Sequence, residues 1–182
     1  MRFLSLLLAA PLLAAGCAGP PSLNATLRLF ADGEVQSSHT IDCSVERATI
    51  VRYLEPGDLT PLADTEEPWL ETVVDTDQCL GYPDELLRME LFAEARRYGT
   101  PRLLLRVPEE AGEADLAEDV EVVVQSGEVL AMGREAGTSF SMRVQEARSV
   151  DAYLGDCACE SVQILDASWT GAIDNAVDRD AR

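Results

Sequence analysis

The sequence predicts a mainly β protein: a single β-sandwich or barrel-like domain of antiparallel strands. Three observations carry this. Apolar and polar residues alternate with period two in stretch after stretch. Several of these stretches are rich in β-branched residues, which suit a pleated, half-buried surface. Turn-forming residues punctuate them at short intervals, the spacing of a sandwich or barrel. No internal repeat is present.

The elements follow in order. Ala25, Leu27 and Leu29 alternate with Thr26 and Arg28, a strand. Asp32-Gly33 closes it with a two-residue hairpin signal, because both turn positions need positive φ, and Val35–Ile41 returns. Residues 48–54 (ATIVRYL) form the next strand and end at the turn Glu55-Pro56-Gly57-Asp58. The acidic, Pro-containing stretch 55–67 reads as a loop, and Trp69–Val74 as a short strand.

The span 84–98 supports two readings. Pro83, Asp84 and Glu85 ahead of Arg96, Arg97 and Gly99 frame one helix. Met89, Leu91, Ala93 and Ala95 against Arg88, Glu90, Glu94 and Arg96 frame a strand. On a helical wheel the apolar residues split into two arcs, a poor amphipathic face. The balance falls to a hairpin turning at Tyr98-Gly99-Thr100-Pro101 into Leu103, Leu105 and Val107. Val120, Val122 and Val124 then share a strand face, Ser126-Gly127 reads as a turn, and Val129–Met132 as a return. Phe140, Met142 and Val144 alternate with polar neighbours. The last strand, 161–173, is expected to point Leu165, Ala167, Trp169, Gly171 and Ile173 to one side. This sets the domain at residues 25–173, long enough for a real core, with residues 174–182 a frayed polar tail.

The formal charge is −19, and all 14 basic residues are Arg. A GC-rich coding sequence accounts for Arg without Lys; a salt-adapted surface would account for the acid excess. Such a charge argues against nucleic acid as a partner, since phosphate binding needs clustered cations. The densest acidic run, Glu109 to Glu121, includes Glu110, Glu113, Asp115, Glu118 and Asp119. It lacks the Asp-x-Asp-x-Asp-Gly order of a calcium loop and reads as a solvated loop. Asp75-Thr76-Asp77 and Asp178-Arg179-Asp180 are equally short of a calcium site. No metal and no cofactor is assigned.

Residues 1–17 stand apart. Arg2 precedes an apolar run from Phe3 to Ala15, too short to span a bilayer, and small residues lead to Cys17 in Leu13-Ala14-Ala15-Gly16-Cys17. This stretch resembles the signal peptide and lipobox of a bacterial lipoprotein, with Ala14 where Leu or Val is commoner. The resemblance covers residues 1–17 only. It implies a signal peptide 1–16, cleavage before Cys17, and acylation of the Cys17 thiol by chains such as palmitate. Removal of Arg2 with the signal takes the charge to about −20. The membrane is then a partner through the lipid on Cys17. Ala18, where Asp commonly retains inner-membrane lipoproteins, implies the outer membrane of the cell envelope. Residues 17–24 are the lipidated tether, with Gly19-Pro20-Pro21-Ser22 as a leash.

Cys43, Cys79, Cys157 and Cys159 remain. An even number in an exported chain points to disulfides, and four cysteines allow three connectivities. A Cys157–Cys159 bond would close a very small ring, so the favoured pattern joins each of these two to Cys43 and Cys79. The sharper alternative is that Cys157-Ala158-Cys159 chelates a soft metal or cycles as a redox pair. Against it, the neighbours Asp156 and Glu160 would raise the thiol pKa values.

Catalytic motifs are thin. His39 sits among Ser37, Ser38 and Thr40 without a Gly-x-Ser-x-Gly elbow. Carboxylate pairs for hydrolysis are uninformative in so acidic a chain. Trp69, Trp169, Tyr53 and Tyr153 suit core packing better than a ligand face. The sequence therefore predicts a non-enzymatic, lipid-anchored envelope module, binding a protein or small molecule or serving a structural role. A carboxylate-based hydrolase and a Cys-x-Cys metal or redox protein are the alternatives.

Overall fold

A computed structural model describes residues 19–54, 68–83, 86, 89–106, 120–149 and 160–180. Among them are ten strands: β1 (Ser22–Ala31), β2 (Glu34–Ser44), β3 (Arg47–Leu54), β4 (Trp69–Asp75), β5 (Glu90–Arg96), β6 (Arg102–Arg106), β7 (Val120–Met132), β8 (Ser139–Ser149), β9 (Ser161–Ala172) and β10 (Asn175–Asp180). They form one sheet in the order β10-β3-β4-β5-β6-β7-β8-β9-β1-β2. Every pairing is antiparallel except β3 with β10. One turn of 3-10 helix at Thr76–Gln78 follows β4.

The parallel pair has a simple origin. β2 passes into β3 through Val45 and Glu46, and β9 into β10 through Ile173 and Asp174. β1 lies between β2 and β9, antiparallel to both, so its two neighbours run parallel to each other. Beyond Ser22, where β1 begins, their continuations meet directly. Asp174 fixes the junction: its backbone N–H donates to the Ala48 carbonyl at 2.8 Å, and its carboxylate accepts from the Ala48 N–H at 2.8 Å.

One face of the sheet supplies one core. Leu23, Ala25, Leu27 and Leu29 of β1 pack in a single cluster with inward residues of β2 through β9, and Ala176 of β10 packs against it. A single sheet that buries one face in one cluster must curl around it. Trp169 and Phe140 are the largest side chains fully enclosed; burying such a side chain contributes about 2–3 kcal/mol.

The hairpin signals hold. Asp32 and Gly33 have φ of 52° and 75°, the left-handed geometry of a two-residue turn. β5 and β6 form the second hairpin, turning through Tyr98 at φ 59°. The helix reading of 84–98 gives way to strand from Glu90 onward, because Leu91, Ala93 and Ala95 reach the core only at period two; positions 84, 85, 87 and 88 lie outside the described residues.

Several expectations are corrected. Ser126-Gly127 is no turn: β7 runs on to Met132, and the turn follows at Gly133–Thr138. The inward set is 120 and 122 before that point, 129 after it and 132 beyond a further register shift, so the strand changes parity twice. β8 changes between Val144 and Ala147, and β9 between Ile164 and Ala167, with Asp166 at φ 50°. A bulge does this by adding an unpaired residue, which also bends the strand. Leu165 consequently leaves the inner face to Ile164. Second, residues 175–180 of the expected frayed tail are strand β10. Third, the expected tether 17–24 is strand from Ser22, so β1 begins before residue 25.

Candidate functional site

Three arrangements in the fold carry chemistry. The first is a covalent tie. Cys43 on β2 and Cys79, just past the 3-10 turn, form a disulfide. Beside it Asp42 and Leu80 exchange backbone hydrogen bonds at 3.0 and 2.8 Å. Gly81, at φ +74°, lies so close that a Cβ would stand 2.3 Å from the Thr40 carbonyl oxygen. The tie thus stitches β2, the last strand of the sheet, to the segment after β4. It overturns the favoured pairing of Cys43 and Cys79 with Cys157 and Cys159. Cys157 and Cys159 lie outside the described residues, as does Cys17. With Cys43 and Cys79 joined, an intramolecular bond within the domain leaves Cys157 and Cys159 only each other.

The second arrangement covers the outer face of β4–β6. Glu71 and Glu94 stand directly opposite each other, as do Trp69 and Arg96, and Val73 and Phe92. Like charges facing across a pair are destabilising, and each here has an arginine. Arg179 of β10 donates to Glu71 at 2.8 Å, and Arg102 of β6 lies 3.6 Å from Glu94. The guanidiniums of Arg96 and Arg106 lie 4.3 Å from the Trp69 and 4.4 Å from the Phe92 ring centroid, cation–π geometry. Val51, Val73 and Phe92 are buried outside the main core cluster, so apolar side chains are packed away on this outer face as well. At its border, partial burial lifts the Glu90 carboxyl above its ordinary range. The charge of Glu46 adds to the shift, Arg106 and Arg47 oppose it, and Asp75 adds further. Chemically, Glu90 can hold a proton longer than an ordinary glutamate. Glu71 and Glu94 are committed to their arginines, a structural network rather than an acid–base pair.

The third arrangement is interior. The Thr72 hydroxyl, the Tyr82 hydroxyl and the Trp169 indole N–H are buried without a hydrogen-bond partner among the described residues. Thr76, next to Tyr82, gives its own hydroxyl to the Met89 carbonyl. Burial pushes the Tyr82 phenol well above its ordinary range.

The other residues singled out by sequence fall apart as a site. His39 Nε2 meets Ser37 Oγ at 2.9 Å, two residues away on the same strand, and among the described residues no carboxylate joins them. Asp75 caps the 3-10 turn, accepting from the Asp77 N–H at 3.0 Å and the Gln78 amide at 3.1 Å. Asp178 pairs with Arg52 at 2.7 Å. Among the described residues, no group of three or more His, Cys, Asp or Glu converges. Trp169 belongs to the core and Trp69 to the outer network. The run 109–119, Tyr153 and the Tyr53 side chain lie outside what is described. Sequence reading missed Glu90, Tyr82 and the Glu71–Arg179 pair, since only strand register reveals them.

No protein-family model, no curated protein and no solved structure matches the chain. Its function rests on its own residues.

Proposed function

We propose that the chain is a non-enzymatic lipoprotein of the bacterial envelope, acylated on Cys17, whose barrel-like β domain meets a protein or small-molecule partner. The observation that carries the reading is the Cys43–Cys79 disulfide. Such bonds persist in oxidising compartments and are rare in the cytosol, so the tie suits a chain that leaves the cytosol behind the segment Met1–Gly16. The barrel-like description is supported by the single curled core and by β10 returning to β3. Ala18 supports the outer membrane as destination. The test is intact mass and palmitate labelling of the full chain expressed in a Gram-negative host. A mature protein beginning at an acylated Cys17, and loss of label in Cys17→Ser, are expected. An unacylated protein cut elsewhere overturns the reading. Ala18→Asp is expected to shift the protein to inner-membrane fractions.

One observation favours a second reading. Because Cys43 and Cys79 are joined, Cys157 and Cys159 lack the long-range partners expected for them. Their pair then serves as a small-ring disulfide or as two thiols able to take a soft metal. Alkylation of unreduced, denatured protein separates the outcomes: two labelled thiols support metal or redox work, and none supports the ring.

A further inference from the structure

We propose that the domain is mounted directly on the bilayer, with the Gly133–Thr138 turn resting on the lipid headgroups. The proposal rests on acylation of Cys17. The reason lies in how soon the chain is caught after that residue. The Gly19 carbonyl accepts from the Ala172 N–H at 3.3 Å, and the Pro21 carbonyl from the Val45 N–H at 2.9 Å. Pro21 fills a notch that only Gly171 provides: at φ +155°, a Cβ there would stand 2.3 Å from the Pro21 Cα. Gly19-Pro20-Pro21 is therefore part of the wall, and the expected leash shrinks to the span from Cys17 to Gly19. Two residues fully extended reach about 7 Å.

The neighbour of that exit point is identified by hydrogen bonds. Ile173, next to Ala172, donates to the Thr138 carbonyl at 2.7 Å and accepts from the Gly137 N–H at 2.8 Å. The turn after β7 thus flanks the place where the anchored segment leaves the domain. Its residues from Arg134 to Thr138 are exposed, and one Arg balances one Glu. In a chain of formal charge −19, that neutral turn avoids repulsion from headgroup phosphates, and Arg134 can meet one. The other end of β1 carries Asp32 and Glu34. Ten residues of strand place that hairpin about 30 Å from Ser22.

The test uses the full-length acylated protein in vesicles of phosphatidylethanolamine and phosphatidylglycerol, some bearing a headgroup nitroxide quencher. Tryptophan is introduced by Ala136→Trp or Glu34→Trp, and the native tryptophan emission is subtracted. The A136W increment is expected to be quenched at least threefold more than the E34W increment. Inserting a flexible Gly-Ser segment between Ala18 and Gly19, away from the fold, is expected to remove the difference. Equal quenching of the two increments in acylated, vesicle-bound protein overturns the mount and leaves lipidation standing. A protein without acyl groups by intact mass, found off the vesicles, overturns the lipoprotein reading and the mount with it.

Discussion

At Cys43 and Cys79, two side chains hold more than their size suggests. They are 36 residues apart in sequence, and constraining a loop of that length corresponds to about 4 kcal/mol of stability. The double variant Cys43→Ala, Cys79→Ala is expected to unfold at lower urea, with a loss of about 2–4 kcal/mol. A loss below about 1 kcal/mol would mean that the Asp42–Leu80 bridge and the Gly81 contact hold β2 without the bond. Glu90 gives a different signature. Its pKa is raised in the folded protein, so the native state binds its proton more tightly than the unfolded chain does. That contribution is complete below the ordinary carboxylate range and is lost as pH rises through the folded pKa. Glu90→Gln is therefore expected to raise the thermal midpoint at neutral pH relative to the native protein, with the gain vanishing in acid. A gain independent of pH would place its origin outside Glu90 ionisation.

At the level of strands, most of the sheet could be read from residues because its signals are local. Ala25, Leu27 and Leu29 alternate without interruption, and Asp32-Gly33 dictates its own turn. Misreading entered where period two breaks. Ser126 and Gly127 are turn residues by type, yet Gly127 sits inside β7, where a Cβ would stand 3.0 Å from the Arg143 carbonyl on β8, closer than ordinary contact. Leu165 is apolar and in step with Trp169, but the extra residue beside Asp166 turns it off the inner face. β10 was illegible for another reason. Its sequence, NAVDRD, is polar, and its order comes from β3, paired at Asn175 with Thr49. The Glu71–Arg179 pair secures this strand from the side. Glu71→Ala is expected to weaken it by about 1 kcal/mol, read as roughly fivefold faster hydrogen exchange at residues 175–180. Unchanged exchange there would assign the hold on β10 to its backbone bonds to β3 alone.

For the molecule as a whole, charge opposes what the core favours. A formal −19 on 182 residues produces self-repulsion in any compact state. Salt shortens the reach of that repulsion to about 3 Å at 1 M, so the thermal midpoint is expected to rise with sodium chloride from 0.05 to 1 M. A falling midpoint would show that the partly buried pairs of Arg179 and Arg102 outweigh the surface repulsion. The candidate site was less legible than the fold. Cysteine count anticipated a disulfide, but its partners depend on which strand ends the curl brings together. The outer network depends on the register of β4, β5 and β6, which no residue announces by itself.

The parallel pair β3–β10 also sets an order of events in time. A chain that emerges N-terminus first into an oxidising compartment, as the proposed export requires, presents Cys43 and Cys79 before β9 and β10 have arrived. β1 must wait for β9, and β3 for β10, across more than half the sequence. Until then both present open rows of amide and carbonyl groups, templates for the wrong neighbour. The disulfide can form in that interval, and it would hold β2 and the segment after β4 together through the wait. Its absence would then cost yield during biosynthesis before it cost stability in the finished protein.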